Sequence, residues 1–413
     1  MAGSAFDMRR TKLVSNPLLF AAVALILCAA LAEPASAANL TVGAGGQFKT
    51  IQQAVDAAKP GDTVLVAPGT YSDNIVVNKP LTITGNATVQ AADSSKDVFL
   101  VTSQGVQIDG LTITGGASGV DVANRSSCVI TNINAHGNVR GIYLAGATNS
   151  QVRSNNLSNN GYGVYCDYAT SNTLANNTVR GEKGTGDTLG DGIYMYYGGS
   201  NTVINNDLSV NHVFGISLFH SSNNTITRNT ISQNEYYAVR FRESDNNTFT
   251  FNTVRANVQL GIRSIQTTNH QIYLNTFIDQ PSAIVGTSGV RLDSPQAMAY
   301  TYNRTARIGY MGNYYSDYKG TDSNGTGIGS TPSAYGDKYP LIQPVASYGT
   351  IVPASAVTST SSSVQPTGQN QSTMSTSGTQ NTGTGIPGFE GAYAVAGLAI
   401  VALLLLGKRY RAK

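Results

Sequence analysis

Tyrosine and then arginine recur at one position of a short repeated phrase, and both residue types can bind sugars. Each phrase is a glycine, or once an alanine, followed by Val or Ile, a variable residue and a fourth residue that is usually apolar. The variable residues are, in chain order, Asp121, Tyr143, Tyr165, Tyr194, Ser217, Arg240, Arg263 and Arg291. Sugar rings stack on aromatic faces, and guanidinium groups pair with carboxylates or sulfates. This column is therefore predicted to bind an acidic glycan chain.

A second outward column, which includes Tyr196, is predicted two residues further along each strand, because strand side chains alternate between faces. Its other members are Ala145, Asp167, Phe219, Arg242, Ile265 and Asp293. The alternative interpretation of both columns is structural, since outward Tyr and Arg also suit an exposed sheet face. Their segregation along the chain, aromatic first and basic later, favours binding.

Carboxylates suited to catalysis concentrate beside the longest interval between phrases. Asp167, Asp187 and Asp191 form this cluster, with Glu182 and Lys183 next to it. A glycoside hydrolase needs two carboxylates at a workable separation, and a lyase needs a base assisted by Ca²⁺ or arginine. A solvated polar loop is the simpler interpretation of the cluster.

The spacing of the phrases is that of a solenoid. They begin at Gly119, Gly141, Gly163, Gly192, Gly215, Ala238, Gly261 and Gly289, in steps of 22, 22, 29, 23, 23, 23 and 28 residues. Units this short cannot bury an apolar face alone and must stack. Their short apolar and polar alternations predict strands. The predicted fold is an all-β parallel β-helix with extra residues looping out near 180–191 and 281–288.

Asparagine columns mark the predicted bends. The first contains Asn132, Asn155, Asn177, Asn206, Asn229, Asn252 and Asn275, extended backward by Asp109 and Asn86, and the second contains Asn160, Asn211, Asn234 and Asn257. Equivalent residues of neighbouring coils lie about 4.8 Å apart, so each Asn can hydrogen-bond to the next. Asn also tolerates a left-handed bend. Both columns are therefore predicted to be structural.

Both ends of the repeats, which run over about 75–295, are predicted to be capped, as solenoids require. A Tyr-rich segment over about 296–344 covers the C-terminal end. A short helix over about 47–60, ended by Pro60 and Gly61, covers the N-terminal end with the face formed by Phe48, Ile51, Val55 and Ala58.

Three segments resemble pectin-lyase-like right-handed β-helix proteins and, among them, the NosD-like repeat family. Residues 48–71 resemble the family's opening, the Asn and Gly phrases its repeats, and residues 312–322 with 337–341 the close of archaeal members. The resemblance covers about 40–345 and implies a right-handed parallel β-helix. It implies little about activity, because such repeats serve many functions.

Motifs for catalysis or metal binding are sparse beside this resemblance. The acidic cluster lacks the Asp-Asp, Gly-His-Gly and Arg-x-Lys phrases of polygalacturonases and the Asp-Pro-His-Asp phrase of alginate epimerases. The copper delivery that the NosD name suggests is disfavoured, because no metal-ligand spacing relates His136, His212, His220 and His270.

Residues 321–327 resemble a degraded calcium loop in which Asp322 and Asn324 remain as ligands. Calcium needs about 6–8 oxygens. The expected site is therefore weak, or it borrows Asp317 and Asp337. No other cofactor is expected.

The two ends of the chain carry predicted targeting segments. Residues 1–37 have a basic start, an apolar run over 18–31 and a small-residue site ending at Ala37, which is the layout of a signal peptide. Lipoprotein processing at Cys28 is disfavoured, because Leu27 stands where a small residue is expected. Without residues 1–37 and 387–413, Lys plus Arg fall from 26 to 19, Asp plus Glu from 23 to 20, and the net charge from +3 to −1. The apparent basicity therefore belongs to targeting sequence, and no nucleic-acid partner is expected.

The C-terminal region predicts a surface tether for the folded domain, residues 38–344. Residues 345–386 are uncharged and rich in Ser and Thr, as in a flexible glycosylated linker. The apolar run 391–407 and the basic end predict a membrane span with the folded part outside. Together with Pro387, Gly388 and Phe389, the apolar run and the basic end resemble the PGF-CTERM signal of archaeal surface proteins. An archaeosortase removes this signal while attaching a lipid. An ordinary membrane anchor within 387–413 is the alternative.

Ten Asn-x-Ser/Thr sequons agree with export. They lie at Asn39, Asn86, Asn124, Asn156, Asn176, Asn223, Asn246, Asn303, Asn324 and Asn370. Asn86, assigned to the inward column, is expected to be the sequon least favoured for modification. Cys166 takes the place of an inward Leu and is expected in the core, whereas Cys128 lies at another point of its coil, which disfavours a disulfide.

The favoured function is a non-enzymatic, glycosylated envelope or adhesion protein at the cell surface, with polysaccharides, the membrane and surface-layer neighbours as expected partners. The alternatives are a polysaccharide lyase or hydrolase that uses Asp167, Asp187 and Asp191, and a self-associating surface-layer subunit. The predicted glycan-binding residues are Tyr143, Tyr165, Tyr194, Tyr196, Arg240, Arg263 and Arg291.

Overall fold

The computed structural model describes residues 37–184, 190–286 and 288–358. Asp187, the predicted signal peptide up to residue 36, the linker from residue 359, the motif Pro387, Gly388 and Phe389, and the apolar span all lie outside these residues. Among the described residues, no helix combines the length and the apolar character needed to cross a membrane. They form the predicted right-handed parallel β-solenoid, with about 11 turns.

The N-terminal end begins with β1 (Asn39–Val42), α1 (Ile51–Ala57), β2 (Thr63–Val66) and β3 (Thr70–Ser72). Helix α1 starts with a capping box, in which the Thr50 side chain accepts from the Gln53 backbone N–H and the Gln53 side chain accepts from the Thr50 backbone N–H. Its buried residues Ile51, Ala54 and Val55 pack into the core of the solenoid. The predicted capping helix is confirmed.

Nine coils of three short strands follow. They are β4 (Ile75–Val77), β5 (Thr82–Gly85), β6 (Thr88–Gln90), β7 (Phe99–Val101), β8 (Gln107–Asp109), β9 (Thr112–Thr114), β10 (Ser118–Ala123), β11 (Val129–Thr131), β12 (Asn134–His136), β13 (Arg140–Ala145), β14 (Gln151–Arg153), β15 (Asn156–Ser158), β16 (Tyr162–Asp167), β17 (Thr173–Ala175), β18 (Thr178–Arg180), β19 (Ile193–Tyr196), β20 (Thr202–Ile204), β21 (Asp207–Ser209), β22 (Ile216–Phe219), β23 (Thr225–Thr227), β24 (Thr230–Ser232), β25 (Tyr237–Arg242), β26 (Thr248–Thr250), β27 (Thr253–Arg255), β28 (Leu260–Ile265), β29 (His270–Tyr273) and β30 (Thr276–Ile278).

The first strand of each coil belongs to sheet C, the second to sheet A and the third to sheet B. Each strand pairs in parallel with its equivalent in the next coil, so one column of side chains repeats down the stack. Leu144, Cys166 and Met195 form such a column and are buried, which confirms the predicted place of Cys166. Cys128 is also buried, and neither cysteine is in a disulfide.

The glycine of the repeated phrase allows two coils to approach closely. A Cβ atom at Gly141 would lie 2.6 Å from the carbonyl oxygen of Gly163 and 3.1 Å from the side-chain nitrogen of Asn160. A side chain at this position would therefore force the neighbouring coil to shift. In one coil the equivalent residue is the buried Ala238, so there the stack accommodates a methyl group. The phrase is therefore required by the packing of the stack and does not itself mark a site.

The first asparagine ladder runs through buried residues from Asn155 to Asn313. Each side-chain oxygen accepts from the backbone N–H and the side-chain N–H of the preceding rung, as Asn177 does from Asn155 at 3.0 and 2.9 Å. The rungs are Asn155, Asn177, Asn206, Asn229, Asn252, Asn275 and Asn313. A second ladder contains Asn138, Asn160, Glu182, Asn211, Asn234 and Asn257.

Three residues assigned to the first column lie elsewhere. The register pairs Thr131 with Arg153, so the inward rung before Asn155 is Ile133, and Asn132 is exposed. Asp109 lies on strand β8. Asn86 is exposed because the neighbouring Ala87 takes the inward position, so the assignment of Asn86 to the inward column was wrong.

The last predicted phrase, from Gly289, is out of register with the others. Sheet C continues instead through β31 (Ile284–Val285), which pairs Ile284 with Ile262. The phrase falls in β32 (Val290–Arg291) of sheet A. The predicted loop near 281–288 is therefore wrong, because the step from Ile262 to its true partner is 22 residues. The insert after Arg180 is confirmed by the 29-residue step from Tyr165 to Tyr194.

The C-terminal end is covered by β33 (Met298–Tyr302), β34 (Thr305–Gly309), β35 (Tyr314–Tyr315), a 3-10 helix (Val345–Ser347), β36 (Gly349–Pro353) and α2 (Ala354–Thr358). Strands β34, β33 and β36 form a small antiparallel sheet. Because β36 pairs with β33, the folded part extends beyond the predicted boundary at 344. Residues 345–353 are uncharged like the predicted linker, but only Ser347 and Thr350 among them are Ser or Thr.

Candidate functional site

The outer face of sheet C carries a row of tyrosines, one on each of three consecutive coils. The register pairs Tyr143 with Tyr165 and Tyr165 with Tyr194, and the ring centroids are 5.3 and 5.0 Å apart. Tyr162 packs against both Tyr165 and Tyr194, at 5.3 and 5.6 Å. We call these four residues the tyrosine platform. Burial raises the pKa of Tyr143 and Tyr165, and that of Tyr194 to about 12, so these three side chains present neutral hydroxyl groups.

Arginines stand at both ends of the tyrosine platform. The Arg140 guanidinium lies 4.4 Å from the ring centroid of Tyr143 and donates to the Ser118 hydroxyl over 3.3 Å. Two coils beyond Tyr194, Arg240 donates from Nε and Nη2 to the Ser217 hydroxyl over 3.1 and 2.8 Å. Its guanidinium lies 4.4 Å from the ring centroid of Phe214. The face therefore offers aromatic surface between two positive charges.

Asp121 is a buried carboxyl at the Arg140 end of the platform. Burial and then the negative charge of the nearby Asp97 carboxyl raise its pKa to about 7, while Arg140 opposes the rise. Within the described residues, Oδ1 of Asp121 has no hydrogen-bond partner. Asp121 therefore changes its charge near neutral pH beside the platform.

Asp167 and Asp191 flank the tyrosine platform on opposite sides. Oδ2 of Asp167 accepts a hydrogen bond from the Tyr143 hydroxyl over 2.8 Å and thereby orients that ring. Asp191 is fully buried, and its Oδ1 accepts from the backbone N–H of Phe214 over 3.2 Å. Burial raises the pKa of Asp191 to about 7, and Arg240 opposes the rise. Of the predicted catalytic cluster, the structure thus brings two members to this face, and Asp187 lies outside the described residues.

A second aromatic row, which the sequence analysis did not identify, lies at the bend after sheet C. Tyr168 stacks on Tyr197 at 5.3 Å, and Tyr197 stacks on His220 at 4.4 Å. The predicted residue Tyr196 joins this row to the platform, with centroids 4.6 Å from Tyr197 and 6.1 Å from Tyr194. The backbone φ angles of Tyr168, Tyr197 and His220 are each 49°. These three residues could have been found in the sequence, because each lies two positions after a core residue of the column Cys166, Met195 and Leu218.

The residue before each phrase glycine forms another column that the sequence analysis did not read. Arg140 pairs with Tyr162 in this column, and Asp191 and Phe214 take the equivalent places in the next two coils. All four residues of this column can be located in the sequence, because each directly precedes a phrase glycine. Of the other predicted ligand-binding residues, Arg263 follows Arg240 in register, whereas Arg291 lies on sheet A because its phrase is out of register.

The predicted calcium ligands have structural partners. Asp322 accepts from the backbone N–H of Thr326 and of Gly327, and Asn324 is exposed. Asp337 accepts from the Asn313 backbone N–H and so ends the first ladder. Asp317 accepts from the Tyr335 hydroxyl. Across the described ranges, no three His, Cys, Asp or Glu residues are grouped so that they could hold a metal ion.

Comparison with known proteins agrees with this architecture. The model of a family described as periplasmic copper-binding protein (NosD) matches residues 55–191 and 185–320. A cell surface glycoprotein of Methanothermus fervidus is 34% identical over 119 residues, which make up 28% of this chain and 20% of that relative's length.

Two solved structures match part of this chain. An alginate lyase from a Paenibacillus species has a TM-score of 0.52 at 16% identity and covers 62% of this chain and 99% of its own. A pectate lyase has a TM-score of 0.46 at 17% identity, over 61% of this chain and 78% of its own. At 16% identity the similarity to the alginate lyase concerns the fold alone.

The histidines of the described residues do not fit the copper site that the family description implies. His212 pairs with Glu235 at 2.9 Å and His220 with Glu243 at 3.1 Å. Nδ1 of His136 lies 3.4 Å from the Thr114 hydroxyl, and His270 is buried in a ladder. Because each imidazole has a separate partner on a different part of the coil, the four do not converge on one metal ion.

Proposed function

This chain belongs to the NosD family of parallel β-helix proteins, and we propose that it is a cell-envelope surface protein that binds an acidic glycan across the outer face of sheet C. The observation that carries the proposal is the in-register row Tyr143, Tyr165 and Tyr194 between Arg140 and Arg240. A polymer lying along the stack would meet an aromatic ring on each of three coils and a guanidinium at either end.

The dimensions of the face suit an extended chain. Arg140 and Arg240 are four coils apart, which corresponds to about 19 Å at the spacing of parallel strands. Guanidinium groups recognise carboxylates and sulfates through paired hydrogen bonds. The half-buried tyrosines are held in place by their contacts with each other, so little conformational entropy is lost when a sugar packs on them.

The surface location is supported by the predicted signal peptide, the predicted C-terminal tether and the name of the Methanothermus relative, a cell surface glycoprotein. That relative is matched over only 20% of its length, so its role in the envelope enters here as part of the proposal. In this role the solenoid holds a rigid glycan-binding face outside the membrane, where it serves structure or adhesion.

The binding proposal is tested with a triple variant, Tyr143→Ala, Tyr165→Ala and Tyr194→Ala, on an array of acidic and neutral polysaccharides. Loss of acidic-glycan binding is expected. The matched control replaces Gln151, Thr173 and Thr202 by alanine, because these are outward residues on sheet A of the same three coils, also in register. An unchanged profile in the tyrosine variant would exclude the platform as the binding surface.

A polysaccharide lyase or hydrolase is the second candidate, and Asp191 is the observation that favours it. Oδ2 of this buried carboxyl has no hydrogen-bond partner among the described residues, and the group titrates near neutral pH beside Arg240. These are properties of a general acid or base. Assays for reducing ends and for unsaturated uronates on a polysaccharide panel should then respond to Asp191→Asn. If wild-type protein produces neither product, the enzyme candidate is rejected.

A further inference from the structure

The nine sequons within the described residues all present an exposed asparagine. They are Asn39, Asn86, Asn124, Asn156, Asn176, Asn223, Asn246, Asn303 and Asn324. None of these nine lies on a strand of sheet C, which carries the tyrosine platform. The accessible sequons are therefore on sheets A and B, at the bends and in the C-terminal cap.

Three of these sequons share one local arrangement, an Asn-Asn-Thr triplet at a bend. The first residues, Asn176, Asn223 and Asn246, have φ angles of 57°, 61° and 55° and lie in water. The second residue of each triplet is a buried ladder rung, as Asn177 is between Asn155 and Asn206. The left-handed bend thus separates two adjacent asparagines into one that stabilises the fold and one that is available for modification.

The chemistry of the exposed asparagine agrees with this division. N-glycosylation uses a lipid-phosphate-linked oligosaccharide as donor. The bond between the sugar's anomeric carbon and the Asn Nδ2 forms as the carbon–oxygen bond to the lipid phosphate breaks, and the amide loses a proton. Within the described residues, the side chains of Asn176, Asn223 and Asn246 make no hydrogen bond that this reaction would break, unlike those of the neighbouring rungs.

We propose that Asn176, Asn223 and Asn246 carry N-linked glycans, and that these glycans leave the outer face of sheet C open. Asn176 lies at the bend between sheets A and B, and the other two lie at the bend between sheets C and A. The bare face is then the one that bears the tyrosine platform. This second part rests on the glycan-binding function proposed above, whereas the modification itself does not.

The modification is tested on the full chain purified from the membranes of a host that glycosylates exported proteins. Peptide mapping by mass spectrometry should find sugar mass on the peptides with Asn176, Asn223 and Asn246. Asn223→Asp should remove one glycan mass and leave the fold intact, because Asp tolerates the same bend and no side-chain hydrogen bond is lost. Unmodified peptides at all three positions in the exported protein would overturn the proposal.

The open face is tested by adding one sequon at a time to a single coil. Leu100→Asn creates a sequon with Thr102 on sheet C, in register with Asp121. Thr112→Asn creates the matched sequon with Thr114 on sheet B of the same coil. Leu100→Gln provides the same loss of the leucine without a sequon. The peptide map reports the occupancy of each added site.

With polygalacturonate as the probe, the glycan at position 100 is expected to weaken binding at least tenfold, and the glycan at 112 to leave it within twofold of wild type. Equal binding by the two occupied variants would show that sheet C is not the face that must stay open. If the wild type itself does not bind polygalacturonate or any other acidic glycan, the proposed function fails while the peptide map still decides the modification.

Discussion

Glu182 replaces an asparagine in the second ladder, and its Oε2 accepts the backbone N–H of Asn160 over 2.5 Å. Its own backbone N–H donates to Asn211, so the ladder continues through it. Burial raises the pKa of Glu182 to about 8, against which the hydrogen bonds from Asn160 act. A carboxyl in this place is therefore protonated in the folded protein at neutral pH.

The raised pKa of Glu182 predicts a protein that loses stability as the pH rises. In the unfolded chain the group ionises near 4.5, whereas in the folded chain it holds its proton up to about 8. Between these values the folded state binds more protons, so the free energy of unfolding falls with increasing pH. Each unit of pKa difference corresponds to about 1.4 kcal/mol. In Glu182→Gln, the fall in the free energy of unfolding between pH 5 and pH 9 should be smaller than in the wild type, by an amount on the order of 2–4 kcal/mol.

Urea unfolding followed by circular dichroism at a series of pH values measures this slope. Glu235→Gln is the matched control, because it makes the same substitution at a side chain that is 57% exposed. Asp121 and Asp191 have pKa values raised in the same direction, so some slope remains in the variant. If the free energy of unfolding changes with pH equally in the wild type and in Glu182→Gln, the prediction is wrong.

The first ladder predicts that substitutions at two asparagines, Asn229 and Asn205, lower the free energy of unfolding by very different amounts. Asn229 accepts from Asn206 through two N–H groups and donates to Asn252 and to the carbonyl of Val203. Asn229→Ala should lower the free energy of unfolding by about 2–4 kcal/mol, because it leaves several buried groups without partners. Asn205→Asp, at an exposed bend with φ of 57°, should change it by no more than about 1 kcal/mol. Chemical denaturation of both variants compares them directly, and similar losses would show that the ladder does not carry the stability.

The repeat period was enough to predict most of this fold, because stacking forces equivalent residues into one register. The place of Cys166 and the insert after Arg180 followed from it, whereas the N-terminal helix was predicted from the spacing of its own apolar residues. One register error arose at Asn132, because this exposed asparagine lies one residue before the true inward residue, Ile133, and matches the asparagine pattern. Another arose at Gly289, where a chance phrase matched the pattern on a different sheet.

The site was predicted less completely than the fold. The phrase identified Tyr143, Tyr165 and Tyr194, because outward residues of a strand can be read from the alternation of side chains. It did not show that Arg140 and Tyr162, which precede the phrase, extend the same surface. The raised pKa of Asp191 depends on its burial, and burial at a strand end cannot be read from spacing.

The position of Arg240 predicts that its substitution weakens the binding of acidic polysaccharides more than that of uncharged ones. Arg240→Gln removes the guanidinium at one end of the platform and should weaken polygalacturonate binding about tenfold, with a shallower dependence on salt. Binding of an uncharged polysaccharide, if present, should change little. Arg255→Gln is the control, because Arg255 lies on sheet B of the same coil. Isothermal titration calorimetry at two salt concentrations makes the comparison, and equal losses in the two variants would mean that net charge, not this site, attracts the glycan.

A third ladder contains Asn172, Asn201, Asn224, Asn247 and, as its last member, His270. The burial of His270 predicts a loss of stability in acid. Its Nδ1 accepts the backbone N–H of Asn247 over 3.2 Å, and its ring lies 4.4 Å from that of Phe241. Burial lowers the pKa of His270 from its usual 6.5 to about 4. Between these values the unfolded chain binds a proton that the folded chain does not, so the free energy of unfolding decreases as the pH falls from about 6.5 to about 4.

His270→Asn should reduce this acid sensitivity, because an asparagine oxygen can accept the same N–H, as it does at the other rungs. The change is measured by urea unfolding between pH 4.5 and pH 7. His212→Asn is the control, since the His212 side chain is 55% exposed and its contact with Glu235 contributes little. If the free energy of unfolding falls as steeply with decreasing pH in His270→Asn as in the wild type, groups other than His270 cause the acid sensitivity.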